Sequence, residues 1–120
     1  MNRLENMRNK KIGIYMRKQS PNENLSTGYG RLQWLRYELE DHKGRIDVYI
    51  DEPSRLNKFD NVINDLENGK IEVLLLWDIK EFEDVELQRI INICVFSQVE
   101  IVSFYQNMHS IEKISELCQF

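Results

Sequence analysis

Arg17, Gln19 and Ser20 place a cation, an amide and a hydroxyl within four residues of one another. An arginine can hold an anion, and a serine hydroxyl can act as a nucleophile once a neighbouring group activates it. Just before them, Ile12, Ile14 and Met16 alternate with Gly13, Tyr15 and Arg17. That period of two reads as a β-strand over the stretch 11–20. A loop rich in Pro, Asn, Ser and Gly follows, from Ser20 to Gly30. In open α/β sheets, ligands bind beyond the carboxyl ends of the strands, so these three residues point to where a site would lie. Each also has a plainer reading. Ser20, beside Pro21, suits a turn or a helix cap, and on a strand it would face opposite to Arg17. Arg17 could contact a phosphate, or could pair with Asp51, Asp78 or another acid at the strand ends.

The other chemistry-bearing residues are less suggestive. Gly28 and Gly30 form a Gly-x-Gly that does not directly follow a strand, which leaves a dinucleotide-binding loop poorly supported. His42 and His109 stand alone, no metal-ligand spacing occurs, and no cofactor is implied. A phosphorelay receiver needs an acidic pair after its first strand, where Arg17-Lys18 stands instead. The acids Asp78, Glu81, Glu83, Asp84 and Glu86 crowd a short run with Lys80 as the only cation, and read as a solvated face.

These residues must be positioned by a single domain. The chain has 120 residues, 42% of them hydrophobic and 30% charged, which is enough to bury a core without disulfides or metals. The net charge of −4 and pI of about 5.2 argue against a free-standing nucleic-acid binder. The charge is uneven, because residues 1–18 carry Arg3, Arg8, Lys10, Lys11, Arg17 and Lys18 against Glu5 alone. Cys94 and Cys118 both fall in apolar patterns and read as buried free thiols of a reducing compartment. No signal peptide and no apolar run near 18 residues is present, so the expected location is the cytoplasm, with no membrane partner.

The elements alternate. Residues 1–10 read as a loose arm and 11–120 as one α/β domain. After the first strand, Tyr29, Leu32, Leu35 and Leu39 predict a helix over 28–42, with Gly44 suiting its end. Ile46, Val48 and Ile50 predict a strand over 45–51. Phe59, Val62, Ile63 and Leu66 predict a helix that stops at Asn68-Gly69. The run 71–77 reads as a strand buried on both faces. A helix over 84–97 should turn Leu87, Ile90, Ile91, Cys94 and Val95 inward. A fourth strand over 99–105 precedes a short helix capped by Ser110 and carrying Ile111, Ile114 and Leu117. Such β-α alternation predicts a parallel sheet with helices on both faces and right-handed crossovers, a three-layer flavodoxin-like fold.

The segment Tyr15-Met16-Arg17-Lys18-Gln19-Ser20 resembles the start of the serine recombinase catalytic domain, the resolvase/invertase family, whose members carry Tyr-x-Arg-x-Ser after a first strand. Asn68-Gly69-Lys70-Ile71-Glu72-Val73 is similar to that family's Gly-Lys-Ile-Asp-Val, and Val99-Glu100-Ile101-Val102-Ser103 to its Val-Glu-Leu-Val-Ser. The resemblance implies a nucleophilic serine surrounded by arginines that stabilise charge at phosphorus. This chain departs from that pattern. Gln19 occupies the nucleophile position and Ser20 comes one residue late. Asp51-Glu52-Pro53-Ser54-Arg55 is a shortened version of the family's acidic residue, Ser-Gly loop and Arg-Pro. No arginine stands between Arg55 and Arg89.

The site the resemblance implies is therefore vestigial: Tyr15, Arg17, Gln19, Ser20, Asp51 and Arg55. It implies a non-catalytic interaction or regulatory module of mobile-element origin, a pseudoenzyme with a protein partner or self-association and weak or no DNA binding of its own. The alternatives are a recombinase that uses Ser20 and a small-ligand or phosphate-binding domain. The family's long dimerisation helix and DNA-binding domain have no counterpart before Phe120. The expected assembly is thus a monomer, or a dimer through Ile114, Leu117 and Phe120.

Overall fold

The computed structural model describes residues 10–20, 22–24, 30–40, 42–53 and 57–104. The elements run β1 (Ile12–Arg17), α1 (Arg31–Glu38), β2 (Ile46–Asp51), α2 (Asn57–Glu67), β3 (Val73–Leu76), a single 3-10 turn (Ile79–Glu81), α3 (Asp84–Ser97) and β4 (Glu100–Ser103). The strands form one parallel sheet in the order β2-β1-β3-β4. Ile12 is level with Ile46 on one side and Val73 on the other.

Strand alternation sorts the side chains into two cores. Ile12, Ile14 and Met16 of β1 join Val73, Leu75 and Val102 beneath Leu32, Leu35 and Leu39 of α1 and its C-cap. Tyr15, Leu74, Leu76 and Ile101 face the other way, against Phe59, Val62, Ile63 and Leu66 of α2 and Leu87, Ile90, Ile91 and Cys94 of α3. The result is a three-layer α/β sandwich of the flavodoxin-like kind. β3 is fully buried along its length, as its unbroken apolar run requires. Among the described residues, no helix is long and apolar enough to cross a membrane.

Gly13 is where the sheet meets the β3 approach. A Cβ there would lie 2.7 Å from Ile71 Cδ1 and 3.0 Å from Ile71 Cγ1, so Ile71 packs against bare backbone. α2 ends as its sequence predicts: Gly69 takes φ +74°, Lys70 N–H donates to Asp65 O (2.9 Å) and Gly69 N–H to Leu66 O (3.3 Å). α3 closes with the same pair of bonds, Val99 N–H to Cys94 O and Gln98 N–H to Val95 O, with Gln98 rather than glycine at φ 59°.

Four expectations are corrected. α1 stops at Glu38 rather than reaching 42, because Glu40 N–H and His42 N–H bond three residues back and tighten the chain into turns. His42 Nε2 then lies 2.8 Å from Lys10 O, and Gly44 ends no helix. β3 covers only part of 71–77, since Ile71 is spent on Gly13 and Trp77 turns to stack on Phe104, 5.2 Å between ring centroids. Val95 is exposed, not inward: at about 100° per residue it falls at the margin of the arc that Leu87, Ile90, Ile91 and Cys94 occupy. β4 ends at Ser103 within the predicted 99–105. The arm before residue 10, Tyr29, His109, Cys118 and the helix expected after Ser110 lie outside the described residues. Cys94 is a buried free cysteine whose burial pushes the thiol up to about 12.

Candidate functional site

β1 is central, with β2 on one side and β3 on the other, so the strand order reverses beside it. The crevice of a doubly wound sheet opens at such a reversal, beyond the carboxyl ends of the strands. Here Arg17, Lys18, Gln19, Pro53, Asp78, Lys80 and Glu81 line an open pocket of about 460 Å³. The sequence placed Arg17 and Gln19 at this end of the sheet, and both line it. Ser20 is exposed in the bend after β1 and is not among these lining residues; its carbonyl accepts from Glu23 N–H (3.1 Å). Arg55 lies outside the described residues.

Tyr15 and Asp51 form the floor behind the pocket. Asp51 is 2% exposed. It accepts from Tyr15 OH at 2.6 Å, from Lys58 N–H at 2.7 Å and from Phe59 N–H at 3.0 Å. The last two are donors of the first turn of α2, which have no intrahelical acceptor, so Asp51 fastens that helix to the end of β2. Burial pushes the Tyr15 phenol above its ordinary range; the Asp51 hydrogen bond adds to this and Arg17 opposes it. A buried phenol that must donate to a carboxylate is a structural tie rather than a proton donor to a ligand.

Arg17 is enclosed. Its Nη1 and Nη2 donate to the two oxygens of Glu86 at 2.9 and 2.8 Å, a bidentate ion pair, and its Nε donates to Tyr15 OH at 3.0 Å. The guanidinium lies 4.7 Å from the Phe82 ring centroid and 5.2 Å from that of Phe59. Burial works against its charge, but the bonds to Glu86 and Tyr15 outweigh it and raise the pKa. The Arg17 bond in turn holds the Glu86 carboxyl below the usual carboxylate range. The same carboxylate accepts from Glu83 N–H at 3.0 Å at the start of α3. The predicted pairing of Arg17 with a strand-end acid is present, but the partner is Glu86 rather than Asp51 or Asp78. Tyr15 stands between Arg17 and Asp51.

A second arginine completes the arrangement, and sequence reasoning missed it. Arg31, the first residue of α1, is buried. It donates to Glu23 through Nε (2.9 Å) and Nη2 (3.0 Å), to Glu81 Oε2 through Nη1 (2.5 Å) and to Arg17 O through Nη2 (2.6 Å). Burial opposes the Glu23 charge, yet the bonds from Arg31 and from Gln19 N–H (2.7 Å) lower its pKa. Glu81 shifts the other way: burial raises it despite Arg31, and its second oxygen is buried without a partner. Glu81 lies 50 residues from Arg31, and Glu23 sits in the loop before α1, so no regular spacing links the three.

The acidic run 78–86 is thus not simply a solvated face. Glu81 and Glu86 are half-buried ion-pair partners of two arginines, and Asp78 Oδ1 caps the 3-10 turn by accepting from Lys80 N–H (2.9 Å). Glu83 and Asp84 remain exposed. Nearby, Lys18 pairs with Glu52 at 3.1 Å. Arg17, Lys18 and Arg31 are each paired with an acid, and among the described residues no three His, Cys, Asp or Glu side chains converge to hold a metal ion. Neither a scan against protein-family models nor a search of curated proteins returns a match to this chain.

Proposed function

We propose that this chain is a degenerate relative of serine recombinase catalytic domains, without strand-exchange activity, acting as an interaction or regulatory module linked to mobile-element DNA recombination. The observation that carries the reading is the state of Arg17, whose guanidinium is closed by Glu86 on one edge and Tyr15 on the other. A phosphoryl-transfer site needs cations free to follow the charge that develops at phosphorus. Gln19, at the position of the family's serine, has no group that can attack phosphorus, and Ser20 stands away from the pocket lining.

The test is covalent protein–DNA adduct formation on supercoiled plasmid. No adduct is expected, and none from a Gln19→Ser variant, because the substitution restores a hydroxyl without restoring cations. An adduct mapped to Ser20 would overturn the reading in favour of a working recombinase. A second reading, a small-ligand or phosphate-binding domain, draws on Lys18 and Lys80 at the pocket rim. Calorimetric titration with inorganic phosphate separates the two, since saturable binding lost in Lys80→Ala would favour the ligand-binding domain.

A further inference from the structure

The two edges of the sheet are not alike. β4 is buried from Ile101 to Ser103, whereas Ile46 of β2 is 37% exposed and Asp47 to Ile50 are half-buried. Ile12 N–H donates to Arg45 O at 2.8 Å and Lys18 N–H to Asp51 O at 3.0 Å. Residues 45, 47, 49 and 51 therefore turn their backbone groups to β1, and Ile46, Val48 and Ile50 point theirs out along the open edge. Among the described residues nothing pairs with them. No bulge and no proline interrupts the strand, whose register with β1 is unbroken from Ile46 to Asp51. Beside this edge lies an open groove of about 360 Å³ between β2 and α2, whose lining includes Arg45, Val48, Lys58, Asn61, Asn64 and Lys70. Val48 packs its side chain on the α1 side of the sheet, so the groove meets it at the strand edge. The acids of the groove are already partnered: Asp47 pairs with Arg45 at 2.9 Å, and Asp65 accepts from Tyr49 OH at 2.6 Å and lies 3.8 Å from Lys70. Lys58 has no ion-pair partner among the described residues, so the groove carries one positive charge in surplus.

We propose that the β2 edge takes an extended, acidic segment of a partner protein, which adds to the sheet as a further strand. The outward N–H and C=O groups of Ile46, Val48 and Ile50 supply the main-chain pairing, and the flanking surfaces read the side chains. Side chains of an added strand alternate between the two faces of the sheet. Those on the α2 side lie along Asn61, Asn64 and Lys58, where a carboxylate meets the surplus charge. Those on the α1 side continue the row of Ile46, Val48 and Ile50, where apolar residues suit. The fitting segment thus alternates apolar and acidic residues. Charge disfavours two other occupants. Residues 1–11 of this chain bring Arg3, Arg8, Lys10 and Lys11 against Glu5 alone. A second copy of β2 brings the same surplus positive charge, and like charges across an interface repel. The contact lies apart from the strand-end pocket and does not depend on a recombinase origin.

The probe is a labelled, end-capped peptide, Thr-Val-Glu-Val-Glu-Val-Thr, with lysine in both glutamate places as the control. Fluorescence anisotropy on the full chain at low ionic strength, where surface charges are least screened, should show saturable binding of the acidic peptide at a dissociation constant of roughly 100 µM or below. The lysine peptide should bind at least ~3-fold more weakly, and Lys58→Glu should reverse that order. Val48→Pro removes one outward N–H at an edge position of the kind that tolerates proline. It should weaken the acidic peptide about fivefold or more, with the circular dichroism spectrum unchanged. Hydrogen exchange followed by NMR should show the Ile46, Val48 and Ile50 amides protected by the acidic peptide in the wild-type chain. No saturation by about 1 mM, equal affinity for the two peptides, or binding that leaves those amides exchanging as before would overturn the proposal. So would binding indifferent to Lys58→Glu, or protection that rises with protein concentration alone, which would give the edge to a second copy.

Discussion

Glu86 meets Arg17 through both carboxylate oxygens, and the two side chains are only 20% and 12% exposed. Replacing Glu86 with glutamine leaves a largely enclosed guanidinium facing a neutral amide. Hydrogen bonds between charged partners are worth about 1.5–3 kcal/mol, so Glu86→Gln should cost about 2 kcal/mol in urea unfolding at pH 7. The acid limb follows from the directions of the shifts. Glu86 and Glu23 are lowered from 4.5, so their contribution is present above that value and fades as the pH falls through their folded pKa values. Glu81 is raised by burial, so its protonated form suits the fold and its contribution fades as the pH rises through its folded pKa. The Glu86 and Glu23 contributions should be lost from about pH 4.5 downwards. Glu86→Gln should start lower and fall less steeply; an equally steep acid limb would show that the Arg17–Glu86 pair is not what titrates.

At the scale of elements, the close approach of β1 to the β3 approach tests how the sheet is set. Ile71 is 1% exposed and has three side-chain atoms within 3.2 Å of where a Gly13 Cβ would lie. Rotating one χ angle cannot clear all three, so Gly13→Ala should cost about 1–3 kcal/mol through overpacking. Ile71→Ala removes those atoms and is destabilising in its own right, by about 2–5 kcal/mol. The two effects should be strongly non-additive, with the Gly13→Ala penalty reduced by at least about 1 kcal/mol in the Ile71→Ala background. Additive penalties in a double-mutant cycle would mean that backbone preference, not contact, keeps glycine at this position. Much of this level was legible beforehand. α3 runs over the predicted 84–97, and α2 ends at the predicted Asn68-Gly69, because apolar periodicity and a left-handed glycine are local signals. The end of α1 was not legible, because its last turn is closed by bonds three residues back and by the His42–Lys10 contact, neither of which has a residue-type signature.

For the whole molecule, charge decides what the strand-end face can meet. Affinity for duplex DNA rests largely on cations that neutralise phosphates and release counterions. Around the pocket, Arg17 and Arg31 are already held by Glu86, Glu23 and Glu81, and Lys18 by Glu52. Exposed Glu83 and Asp84 add negative charge nearby, and like charges across an interface cost several kcal/mol. We expect no specific DNA binding by this chain alone. Weak contact through the basic residues before position 12 should vanish near about 150 mM salt and on deletion of residues 1–10. Fluorescence anisotropy with labelled duplex at two salt concentrations measures it. Submicromolar affinity at the higher salt, kept after the deletion, would show that the acidic face does not repel a phosphate backbone.

The order of elements, the parallel sheet and the inward faces of α2 and β3 were determined by the sequence itself, because strand and helix periods depend on neighbours a few residues apart. So was the position of Arg17 at the carboxyl end of a strand. Its partner was not: Glu86 lies 69 residues away, and Asp51, level with Arg17 in the sheet, is taken up by Tyr15 and the first turn of α2. Arg31 bridging Glu23 to Glu81 was equally invisible, since its partners come from the loop after β1 and the turn after β3. A carboxylate's partner depends on which ends of which strands the crossovers bring together, and on which charges burial then forces to pair. Only the tertiary structure decided that Glu81 and Glu86 turn in to pair with Arg31 and Arg17 while Glu83 and Asp84 stay in solvent.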